Sequence, residues 1–345
     1  MVSSNRIINE RILKAWPQSS VNTVLTKEEK IFYRNKIKYL LKKKNACLVT
    51  HYYVDSEVQS LTEETGGIIG DSLTMARLAR SNTAKILIIS GVKFMGESAK
   101  VLNWNKKVIM PTLDAQCSLS IGCQEEDFKS FIQDNPNRTV VVYVNTSARI
   151  GAMADWIVTS ANALDICQYL KDNGEKILWA PDKHLGHWIK EKTSADMISY
   201  NGSCIVHEEF KFQALLDLKK SYPDAAILVH PESPKEIISL ADVVGSTSVL
   251  LNSSKKLKNS VFIVATEAGI LYQMKKYSPD KLFIKAPTIG KGGDCKSCSY
   301  CPWMKMNNLK NLADSLEEEK NEITVPYSIR KKVLLPLNRM LNFSI

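Results

Sequence analysis

The sequence predicts an α/β protein made of three tandem, similar units, each a short parallel sheet between two helical layers. Two observations predict it. From Ala46 onward, short apolar runs alternate with helical stretches, the pattern of parallel βαβ units. Polar residues also recur at matched places after those runs. The first strand of each unit ends at 51, 143 and 230, separations of 92 and 87. Hydroxyl residues follow the second strands at Ser72, Ser160 and Thr247, separations of 88 and 87, and the third strands start near 85, 176 and 260. Alternation alone does not place like residues at like positions; a tandem repeat of roughly 90 residues does. The units are expected over 30–117, 118–205 and 206–303, arranged about a pseudo-threefold central site, with a helical tail over 304–345 packing on the first.

The elements follow in order. Thr26-Lys27-Glu28-Glu29 has the form of a capping box, with a helix running to about Leu41. In the first unit the expected strands are Cys47–Thr50, Gly67–Ile69, Lys85–Ile89 and Lys107–Met110, with a helix over Ser72–Leu78. The second has Val140–Val142, Trp156–Val158, Lys176–Trp179 and Met197–Ser199. The third has Ala226–Val229, Val243–Val244, Val261–Val264 and Leu282–Ile284. Helices are expected over Met304–Glu319 and Ile329–Leu341.

Composition excludes several classes. Of 345 residues, 44% are hydrophobic and 24% charged, ordinary for a globular enzyme. No run approaches the ~18 apolar residues of a membrane span, and Met1-Val2-Ser3-Ser4-Asn5-Arg6 has no leader-like apolar core, so a cytoplasmic location without membrane association is expected. The net charge of +10 is spread over scattered lysines with no nucleic-acid-binding signature, so no nucleic-acid partner is expected. A basic surface suits steering of small anionic substrates.

Ligands of open parallel sheets bind beyond the carboxyl ends of strands. The first-strand tips there supply His51 and Tyr53, Tyr143 and Asn145, and His230 and Glu232. With His207, these form a candidate acid–base group in which Glu232 is the best general base, on a loop stiffened by Pro231. Ser72, Ser160 and Thr247 are read first as helix N-caps, at positions where free amides also suit a carboxylate or phosphate. His184 and His187 are given no role.

Eight cysteines are present, of which Cys47 and Cys167 lie in apolar patterns and read as core thiols. The fourth strand of each unit is followed by cysteine: Cys117, then Cys204, then the group Cys295, Cys298 and Cys301. One thiolate from each unit would give three corners of a [4Fe–4S] cluster, leaving the fourth iron open to substrate as a Lewis acid. Two alternatives stand beside this. One is a ferredoxin-like redox module whose cluster is held locally by Cys295, Cys298 and Cys301. The other is a zinc-stabilised binding protein using the same C-x2-C-x2-C spacing.

His51-Tyr52-Tyr53, Gly70-Asp71-Ser72-Leu73, Tyr143 through Ala148, Thr159-Ser160, Pro181 through Gly186, Gly202 through Glu208, His230 through Pro234, Gly245-Ser246-Thr247 and Cys295 through Trp303 occur in one order and spacing that resembles quinolinate synthase. The resemblance covers roughly residues 30 to 345. It implies three α/β domains around a central site and an iron–sulfur enzyme of NAD biosynthesis. Such an enzyme condenses iminosuccinate with dihydroxyacetone phosphate to give quinolinate, phosphate and water. It implies a [4Fe–4S] cluster on Cys117, Cys204 and Cys301, selecting the last of the three grouped cysteines. It implies substrate contacts at His51, Ser72, Tyr143, Val144, Asn145, Ser160, His230, Pro231, Glu232 and Thr247. Tyr53, Tyr143, His207 and Glu232 are the expected catalytic groups, and an aspartate-oxidising enzyme the expected supplier of iminosuccinate. Cys295 and Cys298 would be free to form a redox-sensitive pair. One departure is visible: where the family has Val-Lys-Ala, this chain has Arg149-Ile150-Gly151-Ala152, with Arg149 two positions earlier.

Overall fold

The computed structural model describes residues 5–17, 25–288 and 298–343. Helix α1 (Asn5–Lys14) precedes α2 (Lys27–Lys44), which opens on the expected capping box: the Thr26 side chain accepts from the Glu29 amide and the Glu29 side chain from the Thr26 amide. The first repeat then runs β1 (Ala46–His51), α3 (Ser56–Glu64), β2 (Ile68–Gly70), α4 (Ser72–Ser81), β3 (Ile86–Ser90), α5 (Lys93–Leu102) and β4 (Lys107–Ile109). Helices α6 (Ser118–Gly122) and α7 (Glu125–Gln133) lead to the second repeat. It comprises β5 (Thr139–Tyr143), α8 (Ala148–Gly151), β6 (Trp156–Val158), α9 (Ala163–Asp172), β7 (Ile177–Ala180), α10 (Lys183–Thr193) and β8 (Met197–Ser199). After α11 (Phe212–Ser221), the third has β9 (Ala226–Val229), α12 (Lys235–Ile238), β10 (Val243–Val244), α13 (Thr247–Lys256), β11 (Val261–Ala265), α14 (Leu271–Tyr277) and β12 (Leu282–Lys285). The tail is α15 (Leu309–Glu318) and α16 (Tyr327–Asn342).

The three sheets have one topology. Their strand orders are β2-β1-β3-β4, β6-β5-β7-β8 and β10-β9-β11-β12, with all neighbours parallel. Each is therefore a four-stranded sheet in the order second, first, third, fourth. The order reverses between the first and third strands, the switch point at which such sheets bind ligands. Strand interiors are buried on both faces, as in β3, where every residue of Ile86–Ser90 is buried.

The cores are not equivalent. One continuous apolar cluster joins the first repeat, the second and the tail, from Ile37 and Leu48 through Val141 and Trp179 to Leu312 and Met340. The third repeat has two smaller clusters of its own, one around Ile227 and Ile263, the other around Leu250 and Phe262. In the tail, α15 packs on α2, whereas α16 lies along β6 and α8 of the second repeat as well as α4 and α5 of the first. The helix expected from Met304 is interrupted. A 3-10 turn covers Met304–Met306, and α15 starts only after Asn308 caps it by accepting from the Asn311 amide. Between them the Asn307 side chain is spent on the backbone of Gly91, accepting from its N–H at 3.1 Å and donating to its C=O at 2.9 Å. Among the described residues no helix is long and apolar enough to cross a membrane.

Candidate active site at the junction of three repeats

The carboxyl ends of all three sheets face one cavity. Its lining includes His51, Tyr53 and Ser72 from the first repeat, Tyr143, Asn145 and Ser160 from the second, and His230, Glu232 and Thr247 from the third, together with His207, Cys117, Cys204 and Cys301. Of the residues expected to contact substrate, Val144 and Pro231 are not in that lining. Val144 instead pairs its amide with the Val158 carbonyl at 2.8 Å. Arg149 is also elsewhere, more than half exposed and 3.8 Å from Glu125. His184, given no role, sits 2.6 Å from a Glu208 oxygen outside this cavity.

The first-strand tips repeat one device. In His51 the Nδ1 accepts from the Tyr53 amide at 3.2 Å, and in His230 the Nδ1 accepts from the Glu232 amide at 3.4 Å. Accepting there puts the proton of a neutral ring on Nε2. Burial favours the neutral form, pulling His51 down to about 4 and His230 to about 3, against the partial opposition of Glu232. His230 Nε2 then meets Ser160 Oγ at 3.3 Å.

Glu232 is the hub. Its Oε1 accepts from the Tyr143 hydroxyl at 2.6 Å and from Asn145 Nδ2 at 3.5 Å, and its Oε2 lies 2.9 Å from His207 Nδ1. Burial alone would raise this carboxyl, but His230, His207 and Tyr143 together hold it below the ordinary range. Burial and Glu232's charge push the Tyr143 phenol well up, so it is a donor. A second chain of hydroxyls runs from Thr247 Oγ1 to Tyr53 Oη (2.9 Å), on to Thr266 Oγ1 (2.7 Å), and from there to His207 Nε2 (2.9 Å). Thr266, at the end of β11, was not expected from the sequence.

The second-strand hydroxyls are not N-caps, which corrects the expectation. Asp71 caps α4 by accepting from the Thr74 amide, Ser246 caps α13 by accepting from the Val249 amide, and Ser72 and Thr247 are the first helical residues. Ser160 precedes Asn162, the N-cap of α9. Adjacent cap-forming residues (Asp71-Ser72, Ser246-Thr247) left the register open by one. The better acceptor, or the earlier hydroxyl, took the cap and left its neighbour facing the cavity.

The cysteines occupy equivalent positions. In each repeat the first helical residue after the third strand, which in the third repeat opens the 3-10 turn Ala268–Ile270 leading into α14, donates its amide to the carbonyl two residues before a cysteine. These are Lys93 to Ala115 (2.7 Å, before Cys117), Lys183 to Gly202 (2.8 Å, before Cys204) and Ala268 to Ser299 (2.7 Å, before Cys301). This matched bridge picks out Cys301 from the grouped cysteines. Cys298 is disulfide-bonded, and Cys295 lies outside the described residues. Cys117, Cys204 and Cys301 are free and partly buried. Cys123 and Cys167 are core thiols, and Cys47 is half-buried beside Asn82.

The donor set fits a metal centre. The Cys204 thiol lies near enough to Cys117 and Cys301 that their charges oppose its ionisation, after the larger effect of burial. Burial likewise pushes Cys117 up to about 12 and Cys301 higher still. A bound cation reverses that preference and holds thiolates outright. Among the described residues the cavity lining contains no lysine or arginine, yet holds the buried carboxyls of Asp71, Glu232 and Glu267. Backbone amides face each sulfur: Leu119 and Ser120 at Cys117, His207 at Cys204, and Met304 and Trp303 at Cys301. Such amides stabilise thiolate on iron. Cys204, His207 and Glu232 also bring donor atoms within 4.8 Å of one another.

Three α/β repeats converging on a cavity of thiols, imidazoles, phenols and buried carboxyl groups define an enzyme whose site belongs to no single repeat. Residues 35–342 of the 345 match the family model described as Quinolinate synthetase A protein. The chain belongs to that family, enzymes of NAD biosynthesis for which iron–sulfur binding is characteristic.

Proposed function

We propose that this enzyme condenses iminosuccinate with dihydroxyacetone phosphate to form quinolinate, phosphate and water, on a [4Fe–4S] cluster held by Cys117, Cys204 and Cys301. The observation that carries the reading is the matched backbone bridge that sets one free cysteine from each repeat at one cavity. When bound, the cluster supplies an open iron that acts as a Lewis acid toward a substrate oxygen. The rest is done by side chains. Ser72, Ser160 and Thr247, at or beside helix starts, orient the carboxylates of iminosuccinate with neutral donors, the described lining having no lysine or arginine. His51 and His230 present Nε2–H donors. Ionised Glu232 takes the proton that must leave carbon before water is lost, and Tyr143 holds the carboxylate in place by donating to its Oε1. Tyr53, fixed between Thr247 and Thr266, offers a hydroxyl beside it. Iminosuccinate hydrolyses readily, so an enzyme that oxidises aspartate is its expected source.

Protein purified without oxygen is expected to be brown, with about four irons per chain, and to form quinolinate from the two substrates. Stoichiometric zinc, or a loaded protein that forms no quinolinate, overturns the proposal. A local cluster on Cys295, Cys298 and Cys301 is disfavoured by the disulfide at Cys298.

A further inference from the structure

The helix following the third strand has its N-cap at an equivalent place in all three repeats: Val92, Asp182 and Glu267. Two of the three are carboxylic acids, and both are almost wholly inaccessible, at 0% and 1% exposure. An N-cap exposed to water needs only one oxygen. One of them engages further. Glu267 Oε2 accepts from the Gly269 amide at 2.7 Å, and its Oε1 accepts from the Cys301 amide at 3.1 Å. Asp182 Oδ1 accepts from the Leu185 amide at 2.6 Å. Burial and then the charge of Glu232 push the Asp182 carboxyl up, and its Oδ2 is buried with no hydrogen-bond partner. At Gly269 a Cβ would fall 2.8 Å from Glu267 Oε2 and 2.8 Å from the Tyr53 carbonyl, so glycine is what lets this clamp close against the first repeat. The third position is apolar: Val92 makes no cap bond and lines the cavity.

We propose that Glu267 is a positioning residue that sets Cys301 for the metal centre by holding that cysteine's own backbone amide, whereas Asp182, at the equivalent place, holds only the Leu185 amide and Val92 holds none. This rests on the cluster reading above. Fixing the amide fixes the Cα–Cβ vector, and so the direction of the sulfur, before metal arrives. Outer partners of metal ligands have this leverage; losing one typically costs roughly 10- to 100-fold in metal affinity.

The test uses Glu267→Gln. Glutamine accepts at one oxygen only and turns an N–H toward the second amide. Thr26→Ala, which removes a cap far from the site, is the control for general destabilisation. Each chain is purified anaerobically, its bound iron counted, and the bleaching of its visible absorption followed in excess chelator. Glu267→Gln is expected to fold by circular dichroism and to bleach at least about 10-fold faster than wild type, with Thr26→Ala unchanged. A wild-type bleaching rate in Glu267→Gln overturns the assignment. So does equally fast bleaching of Thr26→Ala, or failure of Glu267→Gln to fold, which would make the acid a core cap. A wild-type chain that holds no iron would instead remove the cluster reading itself.

Discussion

Replacing Tyr143 by phenylalanine removes one oxygen atom from the centre of the site and leaves the ring where it is, stacked on Trp179 at 6.4 Å and 16°. That oxygen donates to Glu232 Oε1 at 2.6 Å, and the remaining donor to Oε1, Asn145 Nδ2, stands at 3.5 Å, the edge of hydrogen bonding. A hydrogen bond to an ionised acceptor contributes about 1.5–3 kcal/mol. The bond favours ionised Glu232 over its protonated form, so its loss raises the carboxyl by about 1–2 pH units at 1.36 kcal/mol each. If the bond is kept in the transition state, the same energy corresponds to a rate lower by about 10- to 150-fold. The assay is quinolinate formation against pH, with iron content matched to wild type. The acid limb of the profile should move upward by about 1–2 units. An unmoved limb together with a rate within about threefold of wild type would show that the phenol does not hold Glu232 in the working enzyme.

Glu232→Gln should keep the Tyr143 contact, retain iron and lose activity by about 100-fold or more; near-normal turnover would reduce Glu232 to a binding residue. Serine at Cys117, Cys204 or Cys301 should abolish an intact cluster, while serine at Cys295 or Cys298 should leave iron content unchanged; intact clusters in the Cys117 or Cys204 variant would return the case to local ligation. Ser72→Ala should weaken substrate binding without the ~1 kcal/mol stability loss of a removed cap, because Asp71 carries the cap; a lowered melting temperature with unchanged affinity would refute this. Stability should fall with acid. The unfolded chain protonates His51 and His230 near 6.5, whereas burial holds the folded values at about 4 and 3. Between pH 6.5 and 4 the unfolded state thus binds more protons, and each ring removes up to about 1.4 kcal/mol per pH unit; a urea midpoint equal at pH 7 and pH 5 would contradict it.

The strand tips were legible because a buried parallel strand is an apolar run, and the first polar residue after it marks the end that faces ligand. That is how His51, Tyr143 and His230 could be placed without coordinates. Helix starts were legible only to within one residue, since Asp71-Ser72 and Ser246-Thr247 each hold two cap-forming side chains. Glu267 and Thr266 were missed as site residues. Acids and hydroxyls are common after strands, and only superposing the third strands, where 92, 182 and 267 recur at 90 and 85, separates these from the rest. Arg149 shows the opposite case, where a charge near a binding run paired with Glu125 at the surface. The division of the core was not legible at all, because apolar runs carry no mark of which neighbour they will meet.

That division has a consequence for how the enzyme is assembled. The first two repeats and the tail share one interior, while the third is packed around clusters of its own. The three cysteines are spaced 87 and 97 residues apart. A cofactor gripping all three would be a staple between two bodies that do not share an interior, closing loops long enough that a covalent link would give about 4–5 kcal/mol. No shorter fragment of the polypeptide contains all three anchors until residue 301 has been made. Cofactor loading would then report that the third repeat has been made and has docked, so that iron enters only a chain whose three repeats are already put together.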